Sequence, residues 1–167
     1  MLNATLAANI LALLTGTVDI GEVSHRVQFG PSVNLTDGAG ANQANKLFAD
    51  TRTLAASATE NLDLSGVLVD AIGAQLAFTK IKGLLIRAAA ANVNNVIVGG
   101  LNAAAFGVVS LFGVDPSSLI VRPGGFVLLA APDAAGYAVT AGTGDLLKIA
   151  NSGAGSAVTY DVVIIGA

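Results

Sequence analysis

Leu119-Ile120-Val121-Arg122-Pro123-Gly124-Gly125-Phe126-Val127-Leu128-Leu129-Ala130-Ala131 sets two short apolar runs on either side of a Pro-Gly-Gly turn. Proline presets the φ of a turn's first central position, and glycine supplies the positive φ that can follow. Each run is too short for a helix and is rich in Val, Ile, Leu or Phe, which reads as strand–turn–strand. The same texture extends in both directions. Upstream lie the runs 78–91 and 93–98; downstream lie 137–141, 145–151 and 157–167. Within 162–165 the side chains are apolar at every position, as in a central strand or one covered by a neighbouring chain. Further upstream, residues 23–29 alternate cleanly, and 46–65 reads as two strands or one long bent strand closed by Gly66. Residues 67–76 suit a helical turn or a strand, with Gly73 weakening both. Asn92, Asn94 and Asn95 mark a hairpin turn into Val96-Ile97-Val98, and 99–113 is a small-residue loop anchored by Phe106, Leu111 and Phe112. Eight or so candidate strands, with scarcely a helix and no long repeat, predict an all-β antiparallel β-sandwich, jelly-roll-like, with a short N-terminal arm.

The arm is assigned to residues 1–21 and the sandwich to 22–167. Residues 1–15 fit both helical and strand periodicity, and Gly16 ends the segment either way. An apolar arm of this length cannot bury its own face, so Leu2, Leu6 and Ile10 are expected against another chain, with Phe106 and Phe112 as further interface residues. The segment has no basic n-region, since the first cation is Arg26, and it is too short to span a bilayer.

Only 11% of the 167 residues are charged, against roughly 25% in ordinary soluble proteins, and 53% are hydrophobic. Small neutral residues at a surface suit burial against other copies, and a homotrimer is expected. A net charge of −3 with no basic stripe speaks against nucleic acid. Zero cysteines exclude disulfides and thiolate metal sites.

Candidate chemistry is sparse. His25 is the single histidine, and the strand periodicity sets it beside Val23, Val27 and Phe29, where packing explains it better than catalysis. No Gly-x-Ser-x-Gly elbow is present, and Ser152-Gly153-Ala154-Gly155-Ser156 reads as a flexible hairpin connection rather than a phosphate cradle. The carboxylate pairs Asp19/Glu22 and Glu60/Asp63 lack the ligand order of a calcium loop. No enzyme, cofactor or metal is expected, and a glycan hydrolase using Glu60 or Asp63 is the weakest alternative.

In texture and turn order, 119–130, 136–151 and 156–166 resemble small virion proteins of tailed bacteriophages, over about residues 46–167. The resemblance implies a capsid decoration (cement) protein on the capsid surface, bound to the major capsid protein lattice, without nucleic-acid or membrane partners. A tail or fibre component is the alternative. It carries no functional residues over.

Overall fold

The structure is a computed structural model, and it describes residues 1–100, 104–106 and 117–167. In chain order the strands are β1 (Ala4–Ala7), β2 (Ile10–Thr17), β3 (Glu22–Phe29), β4 (Ser32–Asp37), β5 (Gln43–Ala44), β6 (Lys46–Leu54) and β7 (Thr59–Asp63). They continue with β8 (Lys80–Ala88), β9 (Val96–Gly99), β10 (Ser118–Val121), β11 (Phe126–Ala130), β12 (Tyr137–Ala138), β13 (Leu146–Asn151) and β14 (Val158–Gly166). No helix occurs among the described residues.

Two sheets make the sandwich. One has the order β11-β8-β14-β6, with β12 also on β8; the other has the order β10-β9-β13-β7. All pairings in both are antiparallel. The predicted all-β sandwich is therefore the architecture observed. Between the sheets, Leu84 and Ile86 of β8 and Val158, Tyr160, Val162 and Ile164 of β14 meet Val96, Val98, Leu147 and Ile149 of the opposite layer. Alternation explains the choice, because every second side chain of a strand shares a face.

Strand β14 runs between β6, which pairs with it from Val158 to Gly166, and β8, which pairs with it from Tyr160 onward. Its other face is covered as well. Ile165, with Val163 beside it, joins Leu35, Ala44, Leu2, Ala4, Leu6 and Val33 in a second, smaller core. A third sheet of order β1-β4-β5 supplies that cover. Gly83 lets it approach closely, since a Cβ there would stand 2.8 Å from Leu6 Cδ1.

Two turns predicted as hairpins are arches between the sheets. Strand β9 lies in the sheet opposite β8, so Asn92–Asn95 carries the chain across the sandwich. The 152–156 stretch likewise links β13 to β14 across the two layers. Asparagines hold these arches. Asn151 Nδ2 donates to the carbonyls of Ala55 (3.0 Å) and Ser156 (2.8 Å), while its Oδ1 accepts from Asn94 Nδ2 (3.0 Å) and from the Gly153 amide (3.2 Å). Asn92 pairs with the backbone of Thr159 through both ends of its amide, taking the place of a strand. The 67–76 stretch is neither helix nor named strand: a Val69–Gln75 bridge closes a turn in which Gly73 has φ +89°. Leu111 and Phe112 of the predicted loop lie outside the described residues.

Ile164 is wholly buried in the main core. Ile164→Ala is expected to cost about 2–5 kcal/mol, through lost transfer energy and the cavity left behind. A urea titration of the variant beside the parent chain measures it.

Candidate interaction surface

Strands β2 and β3 form a ribbon of their own. They pair from Ile10↔Phe29 to Thr17↔Glu22, and every residue of both strands is exposed. The ribbon continues the line of β1 and β4: the Ala8 amide donates to the Pro31 carbonyl (3.1 Å) at its root. Its tip turns at residues 18–21, where the Val18 amide donates to the Gly21 carbonyl (3.2 Å) and Gly21 takes φ +98°.

The register assigns the ribbon's faces. Ile10, Ala12, Leu14 and Gly16 share one with Phe29, Val27, His25 and Val23. No residue on it is acidic, and Ile10 (60%), Leu14 (73%) and Phe29 (61%) stand open to solvent. The opposite face carries Glu22, Ser24, Arg26 and Gln28 beside Thr17, Thr15, Leu13 and Leu11. The ribbon is thus an amphipathic β-arm with its apolar face unpartnered.

The predicted interface residues separate on this frame. Ile10 lies on the open face of the arm. Leu2 and Leu6 instead pack on the chain's own second core, because β1 pairs with β4 over Ile165. Phe106 is corrected more sharply: it is 2% exposed in the main core, with its amide bonded to the Leu146 carbonyl (2.9 Å), so its ring is already covered. Phe112 lies outside the described residues. His25 shares a face with Val23, Val27 and Phe29 as predicted, but that face is not packed within the chain.

The polar interior is engaged throughout. The buried Tyr160 hydroxyl donates to Glu60 Oε1 (2.8 Å), and Glu60 Oε2 accepts from Arg52 Nε (2.7 Å). Arg52 also pairs with Asp50 (2.9 Å). Burial, reinforced by the Glu60 carboxylate, pushes the Tyr160 phenol far above its usual range. Glu60 therefore has both oxygens occupied. Asp63 stands three positions along the same strand, hence on its other face, where it binds Ser65 (Oδ1 to the amide, 2.9 Å). The two carboxylates do not converge on a substrate as an acid and base would. Lys82 is wholly buried, and its Nζ donates to the Asp133 carbonyl. Burial lowers its pKa. Among the described residues no group of three His, Cys, Asp or Glu is placed to hold a metal ion.

No family model and no curated protein matches the chain. Two solved structures align with it. The first is IMPa from Pseudomonas aeruginosa in complex with an O-glycopeptide, 20% identical at a TM-score of 0.38, over 77% of this chain and 13% of that one. The second is the IMPa metallopeptidase in complex with T-antigen, 21% identical at a TM-score of 0.37, over 78% and 14%. The glycopeptide and the T-antigen are ligands of that protein, of which this chain spans a small fraction. The expectation of a capsid decoration protein is corrected here: the structures that align with the chain are of a metallopeptidase, and neither is a virion protein.

Asp145 ties the 140–145 turn to β7. It is 4% exposed and accepts from Ser65 Oγ (2.6 Å) and the Gly142 amide (2.7 Å). Burial alone would raise its pKa, but these hydrogen bonds outweigh burial and hold the carboxyl below its ordinary value. A depressed carboxylate stabilises the fold above its unfolded pKa of about 3.9 and loses that contribution as pH falls through the folded value. Asp145→Asn is therefore expected to be about 2 kcal/mol less stable than the parent at neutral pH. The gap should narrow below about pH 4, where the parent loses the same charge. Urea midpoints at neutral and acid pH measure both.

Proposed function

We propose that the protein is a structural, non-catalytic subunit that assembles with copies of itself, and that the β2–β3 arm is its assembling element. The observation that carries this reading is the open apolar face of the arm, with Ile10 and Phe29 at the root and Leu14 further out, the last 73% exposed. An isolated two-stranded ribbon is marginal in water, so its order is gained when a partner covers it. A contiguous apolar face that the chain itself leaves open marks an interaction surface.

Two further observations support a partner of the same kind. The chain has few charges, 11% of its residues, which suits a surface partly covered by other copies. The interior polar groups hold structural positions: Glu60 is bound by Tyr160 and Arg52, and Asp145 by Ser65 and Gly142. No nucleophile stands beside a base among these groups, as covalent catalysis would need.

Deleting residues 10–29 joins Asn9 to Gly30 between Ala8 and Pro31, which are already hydrogen-bonded. The junction falls at this bonded pair, so the deletion leaves the β1–β4 pairing itself untouched. Sedimentation velocity at micromolar concentration is expected to show an oligomer for the full chain and a folded monomer for the deletion. A full chain that sediments as a monomer over that range overturns the reading.

A further inference from the structure

His25 is the single histidine of the chain, and the register of the ribbon seats it on the open apolar face of the arm. Four cross-strand pairs make that face: Ile10↔Phe29, Ala12↔Val27, Leu14↔His25 and Gly16↔Val23. The imidazole stands opposite Leu14, with Val27 on one side along its own strand and Val23 on the other. Its flanks are open. The diagonal positions of β2 on this face are Ala12 and Gly16, and a Cβ added at Gly16 would meet nothing within 4 Å. An ionisable ring therefore lies inside the apolar patch itself.

Nothing on that face balances a charge. Among the described residues β3 pairs with β2 alone, and β2 brings no titratable group to this side. The charged residues of the two strands, Glu22 and Arg26, belong to the opposite face, and Asp19 lies in the turn at the tip. A second copy offers the same uncharged face. Most carboxylates of its body are already held within the fold, Glu60 by Tyr160 and Arg52 and Asp161 by Thr51 and Arg87 among them.

We infer that His25 is a proton switch on self-assembly: the neutral ring lets another copy cover the arm's face, and the protonated ring opposes it. The inference rests on the self-assembly through the arm proposed above and adds its regulation. A charged group loses hydration when an apolar surface covers it, so the covered state favours the neutral ring. The assembled chain then binds fewer protons than the free chain. Linkage makes association strongest above the ordinary imidazole range and weaker as pH falls through it. Imidazole ordinarily titrates near pH 6.5, so each ring covered is expected to weaken association by at least tenfold between about pH 7.5 and about pH 5. Carboxylates ordinarily titrate near pH 4, below this window.

The test uses the full chain. In sedimentation velocity at micromolar concentration, the parent is expected to be an oligomer at about pH 7.5 and to dissociate towards about pH 5. His25→Gln keeps a neutral polar side chain and every other titratable group, so it is expected to assemble at both. His25→Asp sets a charge on a short stem at the same place, and it is expected to be a monomer at both. His25 is exposed, so the fold is expected to persist in each variant, and circular dichroism checks it. A second readout needs no variant. As the single histidine, His25 gives one imidazole signal in a proton NMR spectrum, and its titration midpoint is expected to fall as concentration is raised through the assembling range. Four results each overturn the switch and leave self-assembly standing: a parent whose association ignores pH, a glutamine variant that responds to acid as the parent does, an aspartate variant that assembles like the parent, or a midpoint that does not move. A parent that is monomeric at about pH 7.5 overturns self-assembly and the switch with it. If the chain lacking residues 10–29 still associates, the arm is not the assembling element and both readings fall.

Discussion

Strand β14 has to hide two apolar faces at once, and the arrangement of the other elements follows from that constraint. Val162 and Ile164 are wholly or almost wholly buried in the main core, and Ile165 of the other face is 6% exposed. A strand with one wet face could sit at the side of an ordinary sandwich. This one needs β6 and β8 along both edges, the second sheet beneath it and a further layer above part of it. The β1-β4-β5 sheet is that layer. By placing β1 and β4 over β14, the chain also fixes where the line of those strands points, and the arm begins where that line leaves the body.

The cover is incomplete, and polar chemistry takes over where it stops. Towards the start of β14 the outer face carries Asp161, held by Thr51 Oγ1 (2.7 Å) and by Arg87 Nε (2.8 Å). These contacts hold its carboxyl below the ordinary range, Thr51 contributing most. On the inner face the one interruption is Tyr160, whose hydroxyl is satisfied by Glu60. A buried phenol without an acceptor would be costly, so the Tyr160–Glu60–Arg52 chain is best understood as what permits a large ring in the core.

Strand identity over 78–98 and 119–167 was legible in the sequence because short apolar runs between turn residues have few alternatives. The two-faced character of 162–165 was legible for the same reason, and so was the shared face of His25, Val23, Val27 and Phe29. Strand pairing was not legible. Asn92–Asn95 and 152–156 carry the residues of hairpin turns, yet they lead across the sandwich, and nothing local separates a turn within a sheet from an arch between sheets. The arm was recognised as apolar, but its pairing partner was not: residues 23–29 were assigned to the sandwich, and only the register shows them returning along 10–17. Leu2 and Leu6 have the same apolar character as Ile10, and a sequence cannot tell which of the three meets its own chain.

The arches have a kinetic consequence. Tyr160 and Glu60 are separated by 100 residues, and Thr51 and Asp161 by 110, so the central pairings close only after nearly the whole chain has been gathered. Sheets built from such distant partners fold at the slow end, in about milliseconds to seconds. The β2–β3 ribbon is the opposite case: its two strands are joined by residues 18–21, and hairpins of this kind form in about 1–10 μs. The ribbon's two strands can therefore meet, transiently, long before the body is finished, and unfinished chains can touch through its apolar residues during synthesis.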